Sequence, residues 1–290
     1  MILKEWLKKA EVQLADGPHP ERARQDAETL LLGVLVKNRA WLLAHMDDEL
    51  EHRVVIHFML QIALRLEGTP IQYLSPNGQT EFYGLPICVS PGVLIPRPET
   101  EHLVDQTILL AMKLQAPRIV DVGTGSGCIA IALAHHLPDA EITAIDLSPT
   151  ALIRASESAA LNQLSPCIRF LEGDLLAPVA GEQFEIIVSN PPYVPTTDRD
   201  SLSVEVREYE PALALFAGED GLEVYRRLIP AAFDALIPGG YLLLEIGFGQ
   251  SPAIIDLLAR SGFAQIEFVP DLQGIPRVAS AQRPGNCSKA

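Results

Sequence analysis

The sequence predicts an α/β fold, a doubly wound and mostly parallel sheet preceded by a small helical domain and a connecting β-hairpin. Three observations carry this reading. From Arg118 onward, short β-branched runs alternate with stretches of helical spacing, the pattern of a parallel sheet covered by helices on both faces. The first strand-to-helix turn is glycine-rich, Asp121-Val122-Gly123-Thr124-Gly125-Ser126-Gly127. Asp146, Asp174 and Asn190 end later strands, which places them on the carboxyl edge where open α/β sheets bind ligands.

The elements follow in order. From Leu3 to about Leu66 the apolar residues recur at helical spacing (Leu3, Trp6, Leu7, Ala10; Ala27, Leu30, Leu31, Val34), broken at Gly17-Pro18 and Asp47-Asp48, so residues 1–67 are expected to form a helical bundle. Trp6 and Trp41 lie on that spacing and are assigned to its core rather than to a ligand box. Residues 68–95 are rich in proline and glycine, with Glu81-Phe82-Tyr83-Gly84 and Ile87-Cys88-Val89 as extended pieces, the texture of a linker running into a hairpin. Residues 96–290 form the main domain. Its expected strands are Arg118–Val122, Glu141–Asp146, Ile168–Leu171, Phe184–Ser189, Tyr241–Glu245 and Ala264–Phe268. Helices are expected over 127–137, 149–161, 221–236 and 252–260, and Arg277–Ala281 is expected as one more strand, antiparallel to its neighbour.

Composition narrows the function. With 48% hydrophobic residues the 290-residue chain can bury a sizeable core. Its 22 basic and 37 acidic residues leave a net charge of −15, which argues against affinity built on neutralising phosphates over a broad surface. Cys88, Cys128, Cys167 and Cys287 form no C-x-x-C pair, and the first residues lack a signal-peptide pattern, so reduced thiols and a cytoplasmic address are expected. No apolar stretch approaches the length of a membrane span. His45, His52, His57 and His135-His136 show no metal-ligand spacing, and no metal is expected.

The glycine loop fits neither a P-loop, since no Gly-Lys-Ser/Thr follows, nor the dinucleotide fingerprint, whose last glycine is replaced by Cys128. It suits a nucleotide-like cofactor without phosphates, held by Gly123, Thr124, Gly125, Ser126 and Gly127. Asp146 is placed to accept from ribose hydroxyls; the alternative is an N-cap for the helix at Pro149, a role that Ser148 fills better. Asp174 can accept from an adenine amino group while Leu175 packs on the ring. S-adenosyl-L-methionine is the cofactor such a site best fits. In Asn190-Pro191-Pro192-Tyr193, proline removes backbone donors, so the carbonyls of Asn190 and Pro191 are expected to stay unpaired, and such a loop can grip a planar NH2 group by its two hydrogens.

At this point the chain resembles the Asn-Pro-Pro-Tyr methyltransferases, and within them the HemK/PrmC protein-(glutamine-N5) methyltransferases of peptide chain release factors. The likeness rests on the N-terminal helices, Phe82-Tyr83-Gly84, Pro96 through Glu101, Asp121 through Gly127, Asp146, Asn190 through Tyr193, and Asp271 through Arg277. It implies a Rossmann-like class I methyltransferase sheet and methyl transfer from S-adenosyl-L-methionine to the glutamine of the Gly-Gly-Gln motif. It also implies Asn190, Pro191 and Tyr193 as catalytic residues, and Pro192, Phe82 and Arg97 as further substrate contacts. For Phe82 and Arg97 the alternative is packing of the hairpin itself. The N-terminal helices are expected to dock the release factor, with no direct nucleic-acid partner and no membrane. A ribosomal-protein glutamine methyltransferase, a nucleic-acid adenine methyltransferase and a silent cofactor-binding module are the competing readings. Leu175 stands where some relatives carry an aromatic.

Overall fold

The computed structural model describes residues 1–285, and Cys287 lies outside them. By its internal packing the chain divides into two compact units, Met1–Thr80 with Val89–Pro91 and Leu202–Glu210, and Glu81–Cys88 with Gly92–Ser201 and Pro211 to the C-terminus.

The first unit is built on α1 (Leu3–Leu14), α2 (Ala23–Leu35), α3 (Arg39–Ala44) and α4 (His52–Leu66). Leu3, Leu7, Ala10 and Leu14 repeat at three- and four-residue steps and are buried against Leu30, Leu31 and Phe58, one apolar stripe of an amphipathic helix meeting two others. Trp6 and Trp41 are partly buried against the same core. Within it, the Arg65 side chain is 2% exposed and its Nε donates to Asp26 Oδ2 at 2.7 Å. A second nitrogen of Arg65 pairs with Glu205, so the 202–210 segment belongs to this unit through a charge contact as well as by packing.

A hairpin of β1 (Gln79–Phe82) and β2 (Leu85–Cys88) follows. The sequence reading has Tyr83 and Gly84 extended; they form the turn instead, both at positive φ (54° and 72°), as two-residue hairpin loops require. Tyr83 tolerates this left-handed backbone because its N–H donates to Glu101 Oε1 at 2.8 Å and its hydroxyl to Asp105 Oδ1 at 2.6 Å. Both acceptors lie on α5 (Glu101–Ala111), a helix absent from the sequence reading. Exposed Leu109 and Met112 blur its stripe of Leu103, Val104, Thr107 and Ala111.

The remaining elements are β3 (Arg118–Val122), α6 (Cys128–His136), β4 (Glu141–Asp146), α7 (Pro149–Leu161), β5 (Ile168–Glu172), β6 (Phe184–Ser189), α8 (Ala212–Leu215), α9 (Glu223–Ala235), β7 (Leu236–Glu245), α10 (Ser251–Arg260), β8 (Ala264–Pro270) and β9 (Pro276–Gln282). The seven-stranded sheet runs β5-β4-β3-β6-β7-β9-β8. Strands β3 to β7 are parallel, and β9 is antiparallel to both β7 and β8. Two apolar layers cover its faces, one with α5 and α6 side chains and one with α9 and α10 side chains. Because the order reverses between β3 and β6, their carboxyl ends open the crevice in which doubly wound sheets take ligands. No helix among the described residues is long and apolar enough to cross a membrane.

Candidate active site

At that switch point, within the second unit, lies a cavity of about 320 Å³, the size range of small-molecule sites. The glycine loop after β3, Asp146 after β4, Asp174 and Leu175 after β5, and Asn190 and Pro192 after β6 all line it, together with Arg97 and Thr100.

The loop is held to the neighbouring strand, since the N–H groups of Gly123 and Thr124 both donate to the Ile145 carbonyl (2.8 and 2.9 Å). Gly123, Gly125 and Gly127 all have positive φ, yet they differ in purpose. A Cβ at Gly123 or Gly125 meets nothing within 4 Å, whereas one at Gly127 comes within 2.9 Å of Ala155 Cβ. The first two leave room for a ligand against the backbone, and the third lets α6 pack on α7.

Asp146 accepts from Gly125 N through Oδ2 and from Ser148 N through Oδ1, each at 2.8 Å. Ser148 is the N-cap of α7, its Oγ accepting from Ala151 N, so Asp146 is not the cap. Burial raises the pKa of Asp146 against these backbone donors. Asp121, fully buried beneath the loop, takes the Thr124 hydroxyl at 2.6 Å, and burial pushes its carboxyl up to about 7. Thr124 and Ser126 are themselves buried. The Thr124 hydroxyl thus shapes the loop from beneath. Asp174, half exposed at the cavity edge, forms an ion pair with Arg227 on α9, and Leu175 beside it sits at φ 50°.

The Ser189 hydroxyl donates to the Val122 carbonyl at 2.6 Å, joining β6 to β3 just before the tetrapeptide. Asn190 Nδ2 donates to Thr100 Oγ1 at 3.1 Å. This uses the donor end of the Asn190 amide and leaves Oδ1 as its acceptor. Pro191 is buried and Pro192 lines the cavity; among the described residues no backbone N–H reaches the Pro191 carbonyl. Tyr193 turns away from the cavity wall. Its hydroxyl donates to Glu245 Oε1 at 3.2 Å, and its carbonyl accepts from Gln250 Nε2 at 3.0 Å. Phe82 also lies elsewhere than the sequence reading has it. At 2% exposure it is part of the sheet's apolar core and not of the cavity lining, because the strand turns it inward beside Ile87 and Leu103.

Sequence reasoning missed Glu245, Gln250 and Arg227. Glu245 carried a signal, a carboxylate closing the apolar run Tyr241-Leu242-Leu243-Leu244, since buried acidic residues are rare without a partner. Gln250 and Arg227 reach the site only through tertiary packing, and nothing local marks them.

Comparison with known proteins agrees with this architecture. Residues 5–75 match the PrmC N-terminal domain family and residues 100–206 the Methyltransferase small domain family. The chain is 41% identical over 274 residues to the release factor glutamine methyltransferase of Koribacter versatilis, covering 94% of this chain and 95% of that protein. It is 42% identical to its namesake in Deinococcus radiodurans over 98% of this chain and 100% of that protein. Among solved structures, a ribosomal protein L11 methylase from Lactobacillus delbrueckii subsp. bulgaricus superposes with a TM-score of 0.50 at 27% identity, over 68% of this chain and 85% of that one. A methyltransferase from Pyrococcus furiosus gives a TM-score of 0.52 at 19% identity, over 70% and 91%, a likeness of fold alone.

Proposed function

The chain belongs to the release factor glutamine methyltransferase family, and from that premise we propose that Asn190 and Pro191 hold the side-chain amide of a release factor's Gly-Gly-Gln glutamine for methylation on N5. The enzyme is a protein-(glutamine-N5) methyltransferase dependent on S-adenosyl-L-methionine. The observation that carries the site reading is the Asn190 amide, whose donor end is occupied by Thr100 and whose acceptor end is left for a substrate N–H.

The cavity residues fit the cofactor. Gly123 and Gly125 carry no side chain where backbone must approach a ligand. The two Asp146 oxygens each take one backbone N–H, and a carboxylate retains lone pairs for two ribose hydroxyls. Leu175 offers an apolar face to the adenine ring, and Asp174, oriented by Arg227, an acceptor for its amino group. When bound there, S-adenosyl-L-methionine supplies an electrophilic methyl group on a sulfonium.

The protein's own contribution is orientation. An amide nitrogen is a poor nucleophile because its lone pair is delocalised into the carbonyl. Asn190 Oδ1 and the Pro191 carbonyl each accept one substrate N–H, which aims the nitrogen toward the cofactor cavity. These hydrogen bonds strengthen as positive charge develops on nitrogen, so they favour the transition state over the ground state. Tyr193 acts from behind, its hydroxyl on Glu245 and its carbonyl on Gln250 fixing the loop that carries both acceptors. No general base is assigned, since the proton can leave after transfer.

The N-terminal helical unit docks the release factor away from the glutamine. What supports this is an apolar pair left uncovered on α4, Ile56 and Leu60, at 53% and 55% exposure and one helical turn apart. Labelled methyl transfer tests the whole reading, with release factor, ribosomal protein and DNA offered separately. Label in the release factor supports it, and label only in DNA or ribosomal protein overturns it.

A further inference from the structure

The cavity wall takes residues from the carboxyl ends of β3, β4, β5 and β6, and none from the turns that follow β7 and β8. Those two turns leave the sheet side by side at the same edge. Strand β9 runs antiparallel to β7, Glu245 pairs with Val278, and the Ile246 N–H donates to the Arg277 carbonyl at 2.8 Å. Each turn holds one large apolar side chain in solvent, Phe248 at 79% exposure and Leu272 at 98%.

A single exposed apolar residue is ordinary on a protein surface. These two differ in being held out by built turns. Beside Phe248, Gln250 Oε1 accepts from the Gly247 N–H at 2.9 Å, while its Nε2 donates to the carbonyls of Tyr193 (3.0 Å) and Gly221 (3.3 Å). A Cβ at Gly247 would come within 3.0 Å of Tyr193 Cδ2, so the Phe248 turn rests on the last residue of the tetrapeptide. Beside Leu272, Asp271 Oδ1 accepts from the N–H groups of Gln273 and Ile275 (2.9 and 3.0 Å), and its Oδ2 accepts from Arg277 Nε at 3.0 Å. The Asp271 charge is thereby paired, and residues 246–250 and 272–276 carry none. In a chain of net charge −15, this part of the edge is uncharged, apolar and already ordered, which lowers the entropy lost when a partner binds.

We infer that Phe248 and Leu272 are the docking face for the release-factor loop that carries the methylated glutamine. This rests on the reading of Asn190 as the residue that holds the glutamine amide. The cofactor cavity occupies the β3 to β5 side of Asn190 along the edge, so the chain on either side of the glutamine lies toward β7 and β9. The glycines that precede the glutamine have no side chains, and their bare backbone fits against an aromatic ring and an aliphatic side chain without a charge to pair. Gln250, bonded to both the Phe248 turn and Tyr193, keeps the docking face in register with the amide grip.

Steady-state kinetics of the full-length enzyme on intact release factor, at saturating S-adenosyl-L-methionine, test this. Phe248→Ser and Leu272→Ser change exposed side chains, so folding is unaffected. Each should raise the KM for release factor about fivefold or more, with kcat and cofactor affinity within about twofold of wild type. Phe248→Leu, which keeps an apolar side chain, should raise KM less than about threefold. Met112→Ser, 73% exposed at the end of α5, should match the wild type. A KM within about twofold of wild type for either serine variant overturns the inference; if that variant also lowers the mass of the enzyme in sedimentation, the face belongs to a second copy of the chain. An equal rise in Met112→Ser overturns it as well, as does a fall in kcat at unchanged KM, which would make the turn a support of the tetrapeptide. An Asn190→Ala variant assayed alongside separates the two levels. If it methylates normally, the reading of Asn190 fails and the inference with it. If it is inactive while the serine variants behave as wild type, only the inference fails.

Discussion

Asn190 and Thr100 are ninety residues apart in sequence, both line the cavity, and they share a hydrogen bond of 3.1 Å. One comes from the end of β6 and the other from the turn before α5, so the acceptor end of the Asn190 amide is aimed by two separate parts of the second unit. Asn190→Ala should lower kcat by about a hundredfold or more, the scale seen when a preorganised transition-state contact is lost. Cofactor affinity, measured by titration calorimetry, should change by less than about threefold, and a larger loss would mean that Asn190 serves mainly the cofactor.

The glycines of the loop should separate affinity from stability. Gly123 has φ 75° and open space where a Cβ would go, so Gly123→Ala adds about 1 kcal/mol of backbone strain and places a methyl group in the cavity. Cofactor affinity should fall, with little change in Tm. Gly127→Ala drives a methyl into Ala155 and should lower Tm by several degrees, measured by thermal melting without ligand.

Asp121 should give the ligand-free protein a recognisable pH dependence. Burial raises its folded-state pKa to about 7, well above the ordinary carboxylate value of 3.8. A carboxyl raised on folding contributes stability that is fully present below its unfolded pKa and lost as pH rises through the folded one. The wild-type Tm should therefore fall relative to that of Asp121→Asn between about pH 4 and pH 7. A constant difference between the two melting curves over that range would contradict the assignment.

The buried pair of Arg65 and Asp26 governs the first unit. Arg65→Met leaves Asp26 without its closest cation and should destabilise the chain by about 3–5 kcal/mol in denaturant titrations. Arg65→Met/Asp26→Leu should recover much of that loss, because removing both charges also removes the cost of burying them.

The α4 pair tests docking. Ile56→Glu and Leu60→Glu place charges on exposed positions, so folding should be unaffected. The KM for intact release factor should rise about fivefold or more with kcat unchanged, the signature of lost binding that is uniform along the reaction. An unchanged KM would place the docking surface elsewhere.

Much of this site was legible because its signals are local. The glycine loop, Asp146, Asp174 and Asn190 each end a strand whose apolar run is plain in the sequence, and strand ends on one edge of a doubly wound sheet converge by topology. Ser148 was readable as the α7 cap for the same reason. What escaped depends on tertiary packing. Helix α5 has apolar residues on its exposed side, which hides its period, and the Tyr83-Gly84 turn uses a tyrosine in a left-handed conformation that Glu101 and Asp105 support from a distance. Phe82 illustrates the limit of a motif. Its neighbours in sequence suggest a ligand contact, but the face of the strand on which it falls points into the core. Tyr193 and Glu245, fifty-two residues apart, meet because β6 and β7 are neighbours in the sheet, and neither residue announces the other.

The most direct measurement is peptide-resolved mass spectrometry of release factor after incubation with S-adenosyl-L-methionine and either the wild-type enzyme or Asn190→Ala. The expected result is one added methyl on the Gly-Gly-Gln glutamine with wild type and none above background with Asn190→Ala. A methyl group on any other residue, or equal methylation by the two proteins, would contradict the assignment of Asn190 as the residue that holds the glutamine amide.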